Sequence, residues 1–135
     1  MAEARAARER AYAPYSGFLV GAAVATDAGV FTGVNVENAS YSLSICAERV
    51  AAASAVAGGA RRIDAIAVIG GLRGPDGKDL AGDATPPCGA CRQFLHGFDM
   101  GMTVVSEGTN GERKRWQLSD LLPDPFGPRE LELGH

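Results

Sequence analysis

The sequence is short of cysteine, of positive charge and of long apolar runs, and each shortage excludes a class of protein. It has three cysteines in 135 residues, confined to two short segments. So odd and sparse a set argues against a disulfide framework and for metal or redox work. Thirteen Lys and Arg against sixteen Asp and Glu leave a net charge of −3. Proteins that grip DNA or RNA normally carry a basic surface that displaces counterions; this balance speaks against a nucleic-acid partner. The one basic run, Arg113-Lys114-Arg115, reads as a solvated strand edge. No stretch approaches the roughly 18 continuous apolar residues of a membrane span. The first residues, MAEARAARERAYAPYS, mix acids with arginines and lack the apolar core of a secretion signal. The expected location is the cytoplasm, with no membrane partner.

What is present is a foldable chain. Apolar residues make up 46% of it, enough for a buried core. Much of that share is alanine and glycine, which suits close packing of elements. The length fits one domain spanning 1–135. Residues 2–12 favour a helix that stops before Pro14. Phe18 to Thr26 and Val30 to Val36 read as an antiparallel hairpin about Asp27-Ala28-Gly29. Cys46 to Ala57 reads as a helix capped by Ser42 or Ser44 and stopped at Gly58-Gly59. Ile63 to Ile69 is a short buried strand, and 70–86 is a long loop. A second short helix begins near Cys88 and runs to about Phe98. Met102 to Ser106 and 112–117 form a hairpin about Asn110-Gly111, and 119–122 is a helical turn. This order implies an α/β fold, with a mixed sheet covered by helices on both faces.

Two segments carry chemistry: Cys46-Ala47-Glu48 and Pro87-Cys88-Gly89-Ala90-Cys91. Three thiolates suit zinc and leave its fourth position open, as a catalytic site requires. Cys88 and Cys91, three apart at a helix start, project to one side. Cys46 also begins a helix, and helix N-termini favour thiolates. Cys46 and Glu48 are two apart, so they face one ion only within a first turn. Three thiolates on Zn²⁺ leave a net charge of −1, which calls for a compensating cation. Arg49 and Arg92 each follow a motif and are the candidates to hydrogen-bond the sulfurs. Two bland readings compete: a redox CxxC pair, and a structural site completed by His96, five residues beyond Cys91.

Together the two segments resemble the zinc-dependent nucleoside and nucleotide deaminases, whose signature is three cysteines or two and a histidine, a non-ligand glutamate and PCxxC. Tyr12-Ala13-Pro14-Tyr15-Ser16, Phe18 to Ala23, Asn35 to Tyr41, Cys46 to Arg49, Pro87 to Gln93 and Leu121 to Phe126 narrow the likeness to the small homotetrameric cytidine deaminases. That resemblance implies a three-layer α/β/α fold about a five-stranded mixed sheet. It implies one Zn²⁺ per subunit on Cys46, Cys88 and Cys91, with Glu48 as proton shuttle. It implies that Asn35 and Glu37 bind the ribose hydroxyls, Phe18 packs on the base and the Ala47 backbone meets the pyrimidine edge. Tyr41 and Phe126 would reach a neighbouring subunit's site, and Arg49 would hydrogen-bond the thiolates. The implied activity is hydrolysis of free cytidine, and of 2′-deoxycytidine, in pyrimidine salvage by a homotetramer. The Asn110-Gly111 hairpin fits that class better than deaminases of tRNA adenosine, in which a helix is inserted there. A blasticidin-S-type aminohydrolase would share the zinc residues but not Asn35 and Glu37. A zinc-stabilised interaction domain would have no use for Glu48. One departure is the 70–86 loop, longer than usual, which either edges the site mouth or is a surface insertion.

Overall fold

The computed structural model describes residues 1–99 and 101–127; the acid-rich tail beyond Gly127 lies outside them. Its elements are α1 (Ala2–Arg8), β1 (Phe18–Thr26), β2 (Gly29–Val34), α2 (Ala47–Ala57), β3 (Ile63–Leu72), α3 (Gly89–His96), β4 (Thr103–Gly108), β5 (Arg113–Gln117) and α4 (Leu118–Leu121). A 3₁₀ turn, Tyr41–Leu43, precedes α2. The five strands form one sheet in the order β2-β1-β3-β4-β5. β3 and β4 are parallel and every other neighbouring pair is antiparallel. β5 is an edge strand, and there Arg113 pairs with Glu107 and Lys114 lies 3.8 Å from Glu112. The basic run is thus a solvated edge.

Side-chain alternation sorts the residues of each strand between the two faces. Ala22, Val24, Ile66, Val68 and Val104 point to one face, where they form the main core with Ala51, Ala55, Leu95 and Leu118. Ala23 and Ile69 point to the other and meet Ala4 of α1. Helices therefore cover both faces, as the element order implies. Small residues set the spacing. A Cβ on Gly33 would lie 2.3 Å from the Ala51 nitrogen and 2.5 Å from the Ala47 oxygen. Only glycine lets β2 carry α2 this close, which fixes the start of α2 against the sheet.

Several boundaries differ from the sequence reading. α1 ends at Arg8 rather than 12, because the next turn is pulled onto the sheet: the Tyr12 amide donates to Asn35 O, and its carbonyl accepts from the Glu37 amide. β3 runs on to Leu72 because Gly70, Gly71 and Leu72 pair with Val20, Leu19 and Phe18. The cap of α2 is neither Ser42 nor Ser44 but Cys46, with extended backbone and no side-chain capping bond. Its thiol is left for other work.

Candidate active site

Two helix starts face each other at the C-terminal end of β3. Cys46 is the N-cap of α2 and Cys88 the N-cap of α3, both extended and neither side chain capping its helix. Cys91 follows in the first turn of α3 and is fully buried. Cys46 Sγ lies 3.6 Å from Cys88 Sγ, and Cys88 Sγ 3.3 Å from Cys91 Sγ. All three sulfurs fall within 4.8 Å of one another. Thiolates about 2.3 Å from a shared zinc stand about 3.8 Å apart in a tetrahedral shell, so the donor set fits that ion. Among the described residues His96 is not part of this group, which removes the four-ligand structural reading.

The protons are shared unequally. The Cys91 thiol, hydrogen-bonded to Cys46, brings Cys46 down to about 5 against the opposing effect of burial, with Cys88 and Arg49 assisting. Cys91 is pushed the other way by that same bond, by burial and by the Glu48 charge. The cluster sheds protons on taking a cation, because zinc binds the thiolate form. Arg49 Nη2 donates to Ser44 O at 3.3 Å, while its Nε is buried without a partner. Its guanidinium is within reach of Cys46 and Cys91, so an acceptor for that orphan donor arises when the sulfurs are deprotonated. Of the two candidate arginines, Arg92 is engaged elsewhere. Its Nε and Nη1 donate to Pro87 O at 2.8 Å and Leu121 O at 2.9 Å, tying the PCxxC turn to α4 instead of facing the sulfurs.

The cluster opens on a cavity of about 290 Å³. Cys46, Cys88 and Glu48 line it together with Asn35, Glu37 and Ser16. Glu48 is 5% exposed and belongs to the first turn of α2, which is how a residue two from Cys46 shares its outlook. Burial pushes its pKa up, its own backbone amide works against that, and the Cys46 charge adds to the rise. The Ala47 amide is one of the unpaired donors of a helix start. Phe18 and Val20 form an apolar wall.

Asn35 Oδ1 accepts from the Val20 amide at 3.0 Å and its Nδ2 donates to Phe18 O at 2.7 Å. Glu37 Oε1 accepts from the amides of Tyr15 and Ser16, both at 3.0 Å, and Oε2 from the Ser16 hydroxyl. Those bonds, the Ser16 hydroxyl first, hold its carboxyl below the ordinary range. Both side chains are thus anchored before any ligand arrives. Tyr41 and Phe126 do not line the cavity; they are 77% and 55% exposed, and Tyr41 stands edge-on to Tyr15. Sequence reasoning assigned no role to Ser16, Gly70 or Thr85, which also line the cavity. Ser16 stood within a quoted motif, and Gly70 and Thr85 belong to the 70–86 segment offered above as an edge of the site mouth.

An open three-thiolate cluster beside a buried, unligated carboxylate is a catalytic metal centre of the kind that activates water. Comparison with known proteins narrows the class. Residues 1–109 match the family model described as the cytidine and deoxycytidylate deaminase zinc-binding region. A cytidine deaminase of Sporosarcina psychrophila is 41% identical over 133 residues, covering 97% of this chain and 91% of the relative. A crystal structure of cytidine deaminase from Burkholderia pseudomallei is 46% identical with a TM-score of 0.81, covering 93% of this chain and 94% of that one. The cytidine deaminase of Mycobacterium tuberculosis is 38% identical with a TM-score of 0.71, covering 93% of each chain. The chain belongs to the cytidine and deoxycytidylate deaminase family, and its cofactor is zinc.

Proposed function

We propose that this chain is a cytidine deaminase that hydrolyses free cytidine, and 2′-deoxycytidine, to uridine or deoxyuridine and ammonia. The observation that carries the reading is one cavity lined both by Glu48 with Cys46 and Cys88 and by the anchored Asn35 and Glu37. Cys46, Cys88 and Cys91 would hold the zinc, which would supply the Lewis acidity that helps ionise a water.

The residues do the rest. Glu48, not a ligand, takes the proton lost by the attacking water and delivers it to N3 of the ring. It then carries a proton to the departing amino group at C4. Its upward-shifted pKa suits a group that must both accept and release protons. Phe18 packs on the base, and the Ala47 amide meets the pyrimidine edge. Arg49 offsets the surplus negative charge of three thiolates. A free nucleoside has no phosphate to hold, so it is gripped by its sugar hydroxyls. Asn35 and Glu37 serve that purpose, and the Glu37 charge repels a 3′-phosphate. That repulsion disfavours polynucleotides.

Tyr41 and Phe126 stand out from the chain with their rings exposed. We assign them to the sites of neighbouring subunits in a homotetramer. Three free thiols suit a reducing compartment, and we place the enzyme in the cytoplasm. Among the described residues no helix is long and apolar enough to cross a membrane.

Loss of ultraviolet absorbance on metal-quantified protein tests the reading. Cytidine should be consumed and blasticidin S spared. Turnover of blasticidin S with cytidine untouched would give the site to a different aminohydrolase.

A further inference from the structure

Arg92 and Gln93 follow Cys91 directly in α3, and each holds the 121–126 segment by a backbone carbonyl. Arg92 Nη1 donates to Leu121 O at 2.9 Å and Gln93 Nε2 to Phe126 O at 2.6 Å. Between the two anchored carbonyls stands Asp124, with a φ of 51°. Among the described residues it is the one non-glycine residue in the left-handed region. Such backbone is uncommon for a residue with a Cβ, and Pro125 disfavours the right-handed helical alternative at the position before it. Pro123 and Pro125 stiffen the same stretch by fixing φ. A strained residue persists only where its surroundings over-determine it, and strain of this kind gathers at functional segments. What this segment carries is Phe126, whose ring is exposed and belongs to neither core of its own chain.

Resting on the assignment of Phe126 to a neighbouring subunit's site, we infer that Gln93 is the positioning residue for that ring, with Arg92 as the second anchor of the arm that carries it. A side chain offered to another subunit has to be held through its backbone, because its own chain does not pack it. The Phe126 carbonyl is the handle nearest the ring, and Gln93 is the donor on it. Arg92 fixes the other end of the arm and also holds Pro87 O, at 2.8 Å. Cys91, Arg92 and Gln93 are consecutive, so the helix that brings a sulfur to its own subunit's cluster also sets the arm that reaches the next subunit. Holding the arm in advance lowers the ordering cost of binding. The effect therefore falls on substrate binding and not on the proton transfers of Glu48: losing it raises KM and leaves kcat.

The test is steady-state cytidine kinetics on four zinc-loaded enzymes: unmodified, Gln93→Met, Phe126→Ala and the two substitutions combined. Zinc content and sedimentation mass are measured on each. Methionine keeps the reach of glutamine and donates nothing. Gln93→Met is expected to raise KM about fivefold, the size of one hydrogen bond, with kcat, zinc and mass unchanged. Added to Phe126→Ala, it is expected to change KM less than about twofold, because the ring it positions is already gone. An unaltered KM in Gln93→Met, an equal rise with and without the Phe126 ring, a fall in kcat, or loss of zinc or of assembly would overturn the positioning role. Phe126→Ala with the KM of the unmodified enzyme, or without its assembly, would instead overturn the assignment of the ring to a neighbour's site, so the two failures are distinguishable.

Discussion

Arg8→Met isolates what one buried cation contributes to the scaffold behind the site. The Arg8 side chain is 3% exposed. Its guanidinium donates to Leu19 O and Gly71 O, both at 2.8 Å, and to Asp79. Those carbonyls sit on β1 and β3 beside Phe18 and Gly70, which line the catalytic cavity. Methionine retains an apolar stem of similar reach but donates nothing. Bonds from a charged donor are worth about 1.5–3 kcal/mol each. Asp79 is 39% exposed, so its ion pair is screened and adds less than about 1 kcal/mol. Some of the loss is offset because the cation no longer has to be desolvated. The net expectation is about 3 kcal/mol, or roughly 10 °C in Tm for a chain of this size. Urea unfolding at one fixed protein concentration, followed by circular dichroism, reads it directly. Asp79→Asn is the control and should cost less than about 1 kcal/mol. An Arg8→Met loss no larger than the control's would show that water satisfies both carbonyls, and the reasoning would fail.

Other outcomes follow from the same geometry. Gly33→Ala places a methyl against the backbone of α2; thermal stability and zinc content should both fall, because the start of α2 carries Cys46 and Glu48. Cys88→Ala should lose the metal, read by elemental analysis, since two sulfurs are a poor zinc site. Glu107 is held below the ordinary 4.5 by the Arg5 guanidinium, against burial, with Arg113 assisting. A depressed carboxyl stabilises the fold fully above its unfolded pKa and loses that contribution as pH falls through the folded one. Between about pH 6 and pH 3 the unmodified protein should therefore lose more stability than Glu107→Gln; equal losses in urea titrations would contradict the assignment.

The site was legible because its residues lie in short segments at helix starts, where spacing alone fixes the outlook. Cys88 and Cys91 share a first turn, and Cys46 with Glu48 shares another. What could not be read was anything set by distant partners. The course of 73–86 depends on Arg8, 71 residues before Asp79, and on side chains of the β4–β5 turn. No local pattern encodes such pairings. Adjacency left Arg49 and Arg92 as alternative partners for the sulfurs, and only the fold shows that Arg92 reaches Leu121 O on α4 instead. The cap of α2 was misplaced for a related reason: serine is the better cap by propensity, but the helix starts where Gly33 lets it dock on β2. The anchoring of Glu37 by Tyr15 and Ser16 was equally hidden, although both residues stand in a quoted motif.

Glu48→Gln, assayed for cytidine turnover beside measured zinc content and circular dichroism, tests the central claim most directly. Glutamine keeps the size and the hydrogen-bonding reach of the side chain but cannot carry a proton. The account predicts one zinc per subunit, an unchanged fold and turnover lower by about two to four orders of magnitude. Undiminished turnover with zinc in place would contradict it.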